Sequence, residues 1–85
     1  MAVIRTANAV WRGDLMSGSG VVSASTSGAF SELPVTWASR TESADGRTSP
    51  EELVAAAHAS CFCMALSNGL GKLGTPPQRL EVSAT

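Results

Sequence analysis

The sequence predicts an α+β fold: an N-terminal antiparallel β-meander, one long buried central helix, and the start of a further strand. Three observations carry this expectation. Short runs rich in Val, Ser and Thr, separated by glycine-containing turns, fill the first forty residues. A capped and nearly uninterrupted apolar stretch then runs over residues 50–73. An alternating segment, Arg79-Leu80-Glu81-Val82-Ser83-Ala84, follows a pair of prolines.

The first strand is expected over residues 2–11, where Val3, Ile4 and Val10 alternate loosely with Thr, Asn and Ala. Arg12-Gly13-Asp14 and Ser17-Gly18-Ser19-Gly20 mark a turn region, and residues 21–26 read as the second strand. Ser27-Gly28 signals another turn. Residues 33–39 read as the third strand, with Pro34 near its start, where a missing N–H is tolerated. Residues 41–48 are polar and contain glycine, hence a loop. The helix start is explicit in Ser49-Pro50-Glu51-Glu52: a capping Ser, Pro at the first helical position, and Glu completing the capping box. Glu51 and Glu52 also suit the positive end of the helix dipole. Gly74 stops the helix and Pro76-Pro77 prevents its resumption. The helix is about 24 residues, roughly 36 Å long.

Ala55, Ala56, Ala57, Ala59, Cys61, Phe62, Cys63, Met64, Ala65 and Leu66 cover most of the helix circumference. A helix apolar all round must be buried all round, and one three-stranded meander covers one side. Small residues would let a second helix approach closely, which predicts a helix pair across a dimer interface. The chain reads as a single domain over residues 1–85, the N-terminal portion of a larger unit. Its last strand ends with nothing after it, so a C-terminal half is expected to be missing.

Six basic against seven acidic residues, a formal charge of -1, give the surface no reason to seek nucleic acid or anionic membrane. Residues 53–70 are interrupted by His58, Ser60, Ser67 and Asn68, so no bilayer-spanning segment is expected. The first nine residues lack the apolar core of a signal peptide, which makes the cytoplasm the default location. Two cysteines and one His fall short of a zinc site, and no metal or bound cofactor is expected.

Cys61 and Cys63 stand two residues apart on the helix, about 200° around its axis, and point to different faces. They cannot close a disulfide without unwinding it. Peroxide reduction by cysteine requires a thiolate, held by a nearby cation or donors, an approachable peroxide, and a second thiol to meet the sulfenic acid. Arg40, just before the polar loop, is the best placed cation. Spacing alone leaves both cysteines open to either reading, and favours the inert one, since a free Cys in an Ala-rich helix is commonly a small hydrophobe. His58 stands three residues before Cys61, within reach of its thiol or simply part of the core.

Thr48-Ser49-Pro50-Glu51-Glu52-Leu53-Val54-Ala55-Ala56-Ala57-His58-Ala59-Ser60-Cys61-Phe62-Cys63-Met64-Ala65-Leu66 resembles the helix of the OsmC and organic hydroperoxide resistance family of bacterial peroxidases, nearer its OsmC branch. The similarity extends through Ala9-Val10-Trp11-Arg12-Gly13-Asp14, Gly18-Ser19-Gly20 and Thr75-Pro76-Pro77-Gln78-Arg79-Leu80-Glu81-Val82. The resemblance implies a thiol peroxidase for organic hydroperoxides, and for hydrogen peroxide, in oxidative and osmotic stress defence. It implies Cys61 as the peroxidatic cysteine, Arg40 as the residue that stabilises its thiolate and orients the peroxide, and Glu51 as the partner that fixes the guanidinium. It further implies an intertwined homodimer, a lipoyl-type dithiol reductant, and a second half with the resolving cysteine, which this chain lacks. Cys63 matches a position without a catalytic role. The alternative is a truncated, catalytically incomplete domain with a structural or oligomerising role. A generic α+β domain with a buried thiol and another binding role is a third.

Overall fold

In the computed structural model, which describes residues 3–85, three strands form one antiparallel sheet in the order β1-β2-β3. They are β1 Asn8–Arg12, β2 Ser19–Ser23 and β3 Leu33–Val35. Trp11 stands opposite Gly20 and Val10 opposite Val21. Gly20 is buried, and a Cβ there would come within 2.6 Å of the Trp11 ring. The indole therefore lies over bare backbone, a cross-strand pair open only to glycine.

The β1–β2 turn is built from backbone and one carboxylate. Gly13 takes φ +91°, and the Gly18 N–H donates to Asp14 O at 3.0 Å. The Asp14 carboxylate accepts from the Ser17 hydroxyl at 2.5 Å and the Ser17 N–H at 2.8 Å. The Trp11 indole N–H reaches Asp14 O at 3.2 Å. The Ser17 hydroxyl and then its N–H hold the Asp14 carboxyl below its ordinary value. Because the folded value lies below the unfolded one, ionisation favours the folded turn. That contribution is present above the ordinary carboxylate range and is lost as pH falls through the depressed value. Denaturant midpoints measured against pH are therefore expected to fall less on acidification in Asp14→Asn than in the parent.

The second connection turns through Gly28 at φ +70° and Glu32 at φ +54°, the latter held by its N–H donating to Ser23 Oγ at 2.9 Å. Pro34 sits in β3 at the sheet edge, opposite Val21. The strand pattern is as expected, but its bounds are displaced. β1 starts at Asn8, and of the residues assigned before it, 3–7 lie outside the sheet while Ala2 lies outside the described residues. Ser19 and Gly20, read as turn, belong to β2.

The third strand is shorter than expected, and its second half is helical. Trp37–Thr41 form the short helix α1. Thr36 caps it: the Ser39 N–H donates to Thr36 Oγ1 at 3.0 Å, and the Thr36 N–H donates to Ser39 Oγ at 3.0 Å. This reciprocal box satisfies two donors that a strand would leave to a neighbour, and β3 is an edge. Ser39, 9% exposed, is the one buried polar side chain among the described residues, and its hydroxyl also reaches Thr48 O at 3.1 Å. That bond closes the polar loop at its base. Arg40 is thus in the last turn of a helix, and not at a strand end.

The described residues group into two compact units, one up to Ser49 and one over Pro50–Thr85. The second holds α2, Pro50–Lys72, the expected central helix, uninterrupted over 23 residues. Its end is a Schellman motif: the Thr75 N–H donates to Leu70 O at 2.9 Å and the Gly74 N–H to Gly71 O at 3.0 Å, with Gly74 at φ +80°.

Residues 79–84, expected as a strand, do not form one. They make no ladder, because a strand needs a neighbour for its N–H and C=O groups. The alternation survives: Leu80, Val82 and Ala84 are half-buried, while Arg79, Glu81 and Ser83 are exposed, and Arg79 pairs with Glu81. Clefts along α2 are walled by this segment on one side and by Ala56, Ala59 and Cys63 on the other.

One expectation about α2 rests on a partner chain, and another is corrected. No residue of the helix is buried within the chain: Val54 is 70% and Met64 74% exposed. The segment 79–84 is too narrow to shield more than one stripe. The helix is also long and apolar enough, by length and composition, to cross a membrane, contrary to the expectation from its polar interruptions. Four polar residues do not outweigh the surrounding Ala, Leu, Met, Phe and Cys. The core helix of a folded assembly meets the same criterion.

Candidate active site

The alternation of segment 79–84 divides the two cysteines. Ala55, Ala59 and Cys63 recur every four residues, form one stripe of α2, and are half-buried. Cys63 shares a cleft with Leu80 and Val82. Cys61 lies about 200° away around the axis and is exposed. Both thiols are free. The sulfur that can meet a solute from the open side of the helix is Cys61; that of Cys63 is turned toward the chain's own tail.

The open face carries Val54, Ala57, Met64, Ala65 and the polar Asn68 around Cys61, with Phe62, 50% exposed, at its margin. A mainly apolar surround of this kind suits a substrate with a hydrocarbon body. His58 stands at the border between faces and lines one cleft with Glu51, Val54 and Ala84 and another with Phe62 and Val82. Glu51 and His58 are therefore brought to one cleft. Glu51 is in the first turn of α2, ten residues before Cys61, roughly 15 Å along a straight helix. Two side chains on one uninterrupted helix cannot meet over that span.

Arg40 belongs to the first unit, and Glu51, His58, Cys61 and Cys63 to the second. In α1 the Arg40 guanidinium carbon lies 5.6 Å from the centroid of the Trp37 ring. Trp37 was not singled out from the sequence. Its signal was the spacing Trp37-x-x-Arg40, which brings side chains together on a helix and is lost when residues 33–39 are read as a strand.

A family model described as OsmC-like protein matches residues 43–85. The chain is 42% identical over 84 residues to Peroxiredoxin OsmC of Escherichia coli (strain K12) and to Peroxiredoxin OsmC of Shigella flexneri. Each match covers 99% of this chain and 57% of the relative, so the chain spans little more than half the length of the curated relatives it matches.

Proposed function

We propose that this chain, which belongs to the OsmC-like protein family, is a cysteine-dependent peroxidase that reduces organic hydroperoxides, and hydrogen peroxide, with Cys61 as the attacking residue. The observation that carries the reading is the exposed, free Cys61 thiol on the apolar open face of α2, while Cys63 is turned away. A relative bearing the name peroxiredoxin supports the reaction class.

The Cys61 thiolate attacks the terminal oxygen of the hydroperoxide. The S–O bond forms as the O–O bond breaks, the alkoxide leaves and takes a proton to become the alcohol, and the sulfur is oxidised to sulfenic acid. A dithiol of the lipoyl type then reduces the sulfenic acid: one thiol forms a mixed disulfide with release of water, the second displaces Cys61 as thiol, and the reductant leaves as its cyclic disulfide. Arg40 stabilises the thiolate and the departing oxygen, and Glu51 fixes the guanidinium as a bidentate partner. Because Glu51 and Cys61 stand too far apart on one helix to meet, Glu51 and Arg40 serve the Cys61 of a second copy. A homodimer also gives the open face of α2 protein to pack against. The site of action is the cytoplasm, in defence against oxidative and osmotic stress.

Single-turnover kinetics with cumene hydroperoxide test this. The parent is expected to release one equivalent of alcohol, and Arg40→Ala to slow that step about a hundredfold, the usual cost of losing one preorganised donor at developing charge. Equal rates would remove Arg40 from the chemistry. A second reading, a catalytically incomplete domain with a structural or oligomerising role, is favoured by one observation. Cys61 and Cys63 face different sides of α2, so Cys63 does not serve as a resolving thiol beside Cys61. Under that reading the parent releases one equivalent of alcohol and does not turn over with a dithiol.

A further inference from the structure

We propose that His58 is the proton donor of the reaction, delivering a proton to the oxygen that leaves when Cys61 attacks the hydroperoxide. This deepens the peroxidase reading and rests on it. Val54, His58 and Cys61 stand at i, i+4 and i+7 of α2, a single stripe along the helix. His58 is one turn before Cys61, a spacing that sets Cβ atoms about 5–6 Å apart. Helical Cα–Cβ bonds tilt toward the N-terminus, so the Cys61 side chain leans toward the turn that carries His58. The ring is exposed, hence not a core histidine, and it makes no hydrogen bond or ion pair among the described residues. The neighbouring groups are otherwise placed. The Ser60 hydroxyl donates to Ala57 O at 3.0 Å, Cys63 shares the cleft walled by Leu80 and Val82, and Glu51 has an interaction of its own. Imidazole is the side chain whose ordinary charge change falls near neutral pH, and His58 is the one histidine of the chain.

The cleft beside the ring selects the atom that the proton meets. His58 lines it with Pro50, Val54, Ala55 and Ala84, whose apolar groups suit the hydrocarbon body of the substrate. A hydroperoxide with its hydrocarbon there and its terminal oxygen at Cys61 has its second oxygen between the two, at His58. That second oxygen is the one that leaves. Sulfur bonds to the terminal oxygen, the O–O bond breaks with its electron pair on the leaving oxygen, and an imidazolium N–H proton passes to it. The products are the alcohol and a neutral imidazole, which regains its proton from water. The sulfur, oxidised by two electrons, keeps the terminal oxygen and its hydrogen as sulfenic acid. Without the donor the oxygen departs as an alkoxide, a strong base, or takes its proton from water.

The test compares two oxidants in single turnover on the full chain. Cumene hydroperoxide loses an alkoxide and needs the proton; peracetic acid loses acetate, a weak base, and does not. His58→Gln is expected to slow the reaction with cumene hydroperoxide about tenfold, less than a shielded general acid contributes because water reaches the site. The rate with peracetic acid is expected to stay near the parent's. Imidazole added to His58→Ala is expected to restore part of the cumene hydroperoxide rate. Equal slowing with both oxidants overturns the proposal, because it assigns the ring to the thiolate or to the fold; so does no slowing with either. If neither variant folds, the parent in deuterium oxide decides: slowing is expected with cumene hydroperoxide and not with peracetic acid, and its absence with both overturns the proposal. The underlying reading is tested apart. A Cys61→Ser chain that consumes cumene hydroperoxide as fast as the parent sinks both, whereas a Cys61-dependent rate that His58→Gln leaves unchanged sinks this proposal alone.

Discussion

Cys61→Ser is expected to reduce hydroperoxide consumption to the uncatalysed background, while Cys63→Ser keeps most of the parent rate. A serine hydroxyl is not ionised at neutral pH and its oxygen has no counterpart to the sulfenic acid, so the attack on the O–O bond is lost outright. Cys63 is half-buried and shares its cleft with Leu80, on the stripe of α2 that the tail covers. Its replacement exchanges a small apolar group for a hydroxyl in a half-buried cleft of mixed polarity and costs about 1 kcal/mol of stability or less. Alcohol yield per chain, together with denaturant midpoints, separates the two effects. A Cys63→Ser chain that lost turnover while keeping its midpoint would reverse the roles assigned to the two sulfurs.

Gly18→Ala carries the largest expected cost in stability. A Cβ at this position would collide with the carbonyl oxygens of Asp14 and Arg12. Backbone atoms, unlike the end of a flexible side chain, cannot swing aside, and the Gly18 N–H is itself committed to Asp14 O. The turn must open, which separates Asp14 from Ser17 and Trp11 from Gly20. A loss of about 3 kcal/mol is expected, at the upper end for overpacking, measured as a lowered denaturant midpoint. A midpoint within experimental error of the parent would mean that the hairpin is not closed as described.

Local chemistry made the central helix legible. Ser49-Pro50 at its start and Gly74 at its end are punctuation that acts over a few residues, and α2 runs Pro50–Lys72 as that punctuation requires. The meander was legible as strands and turns because Gly13, Gly18 and Gly28 mark the reversals. The part that depended on neighbours was not. Residues 37–41 look strand-like by side chain, but beyond the short edge strand β3 the Thr36–Ser39 box offers the backbone its own partners. A box closed by Ser in place of Glu is a weak sequence signal. Residues 79–84 have the alternation of a strand and no adjacent strand among the described residues to make it one.

The candidate site divides along the same line. Cys61 was identified by the motif around it, and the separation of Cys61 from Cys63 followed from helical geometry alone. That Cys63 faces the tail required the fold, since the tail's side-chain phase depends on how the helix ends at Gly74. Trp37 was invisible for a simpler reason. Its relation to Arg40 exists only in a helix, and the sequence there reads as a strand. Burial of α2 is a property of whatever packs on its open face, which the sequence of one chain indicates only as a requirement.

The site of oxidation is the most direct measurement. The full 85-residue chain is treated with an equimolar amount of cumene hydroperoxide, the sulfenic acid is trapped with a carbon nucleophile, and the modified peptide is mapped. The adduct is expected on Cys61, with cumyl alcohol formed in equal amount and at a rate that falls in Arg40→Ala. An adduct confined to Cys63, or alcohol formed at the same rate without Arg40, would contradict a Cys61 thiolate served by that guanidinium.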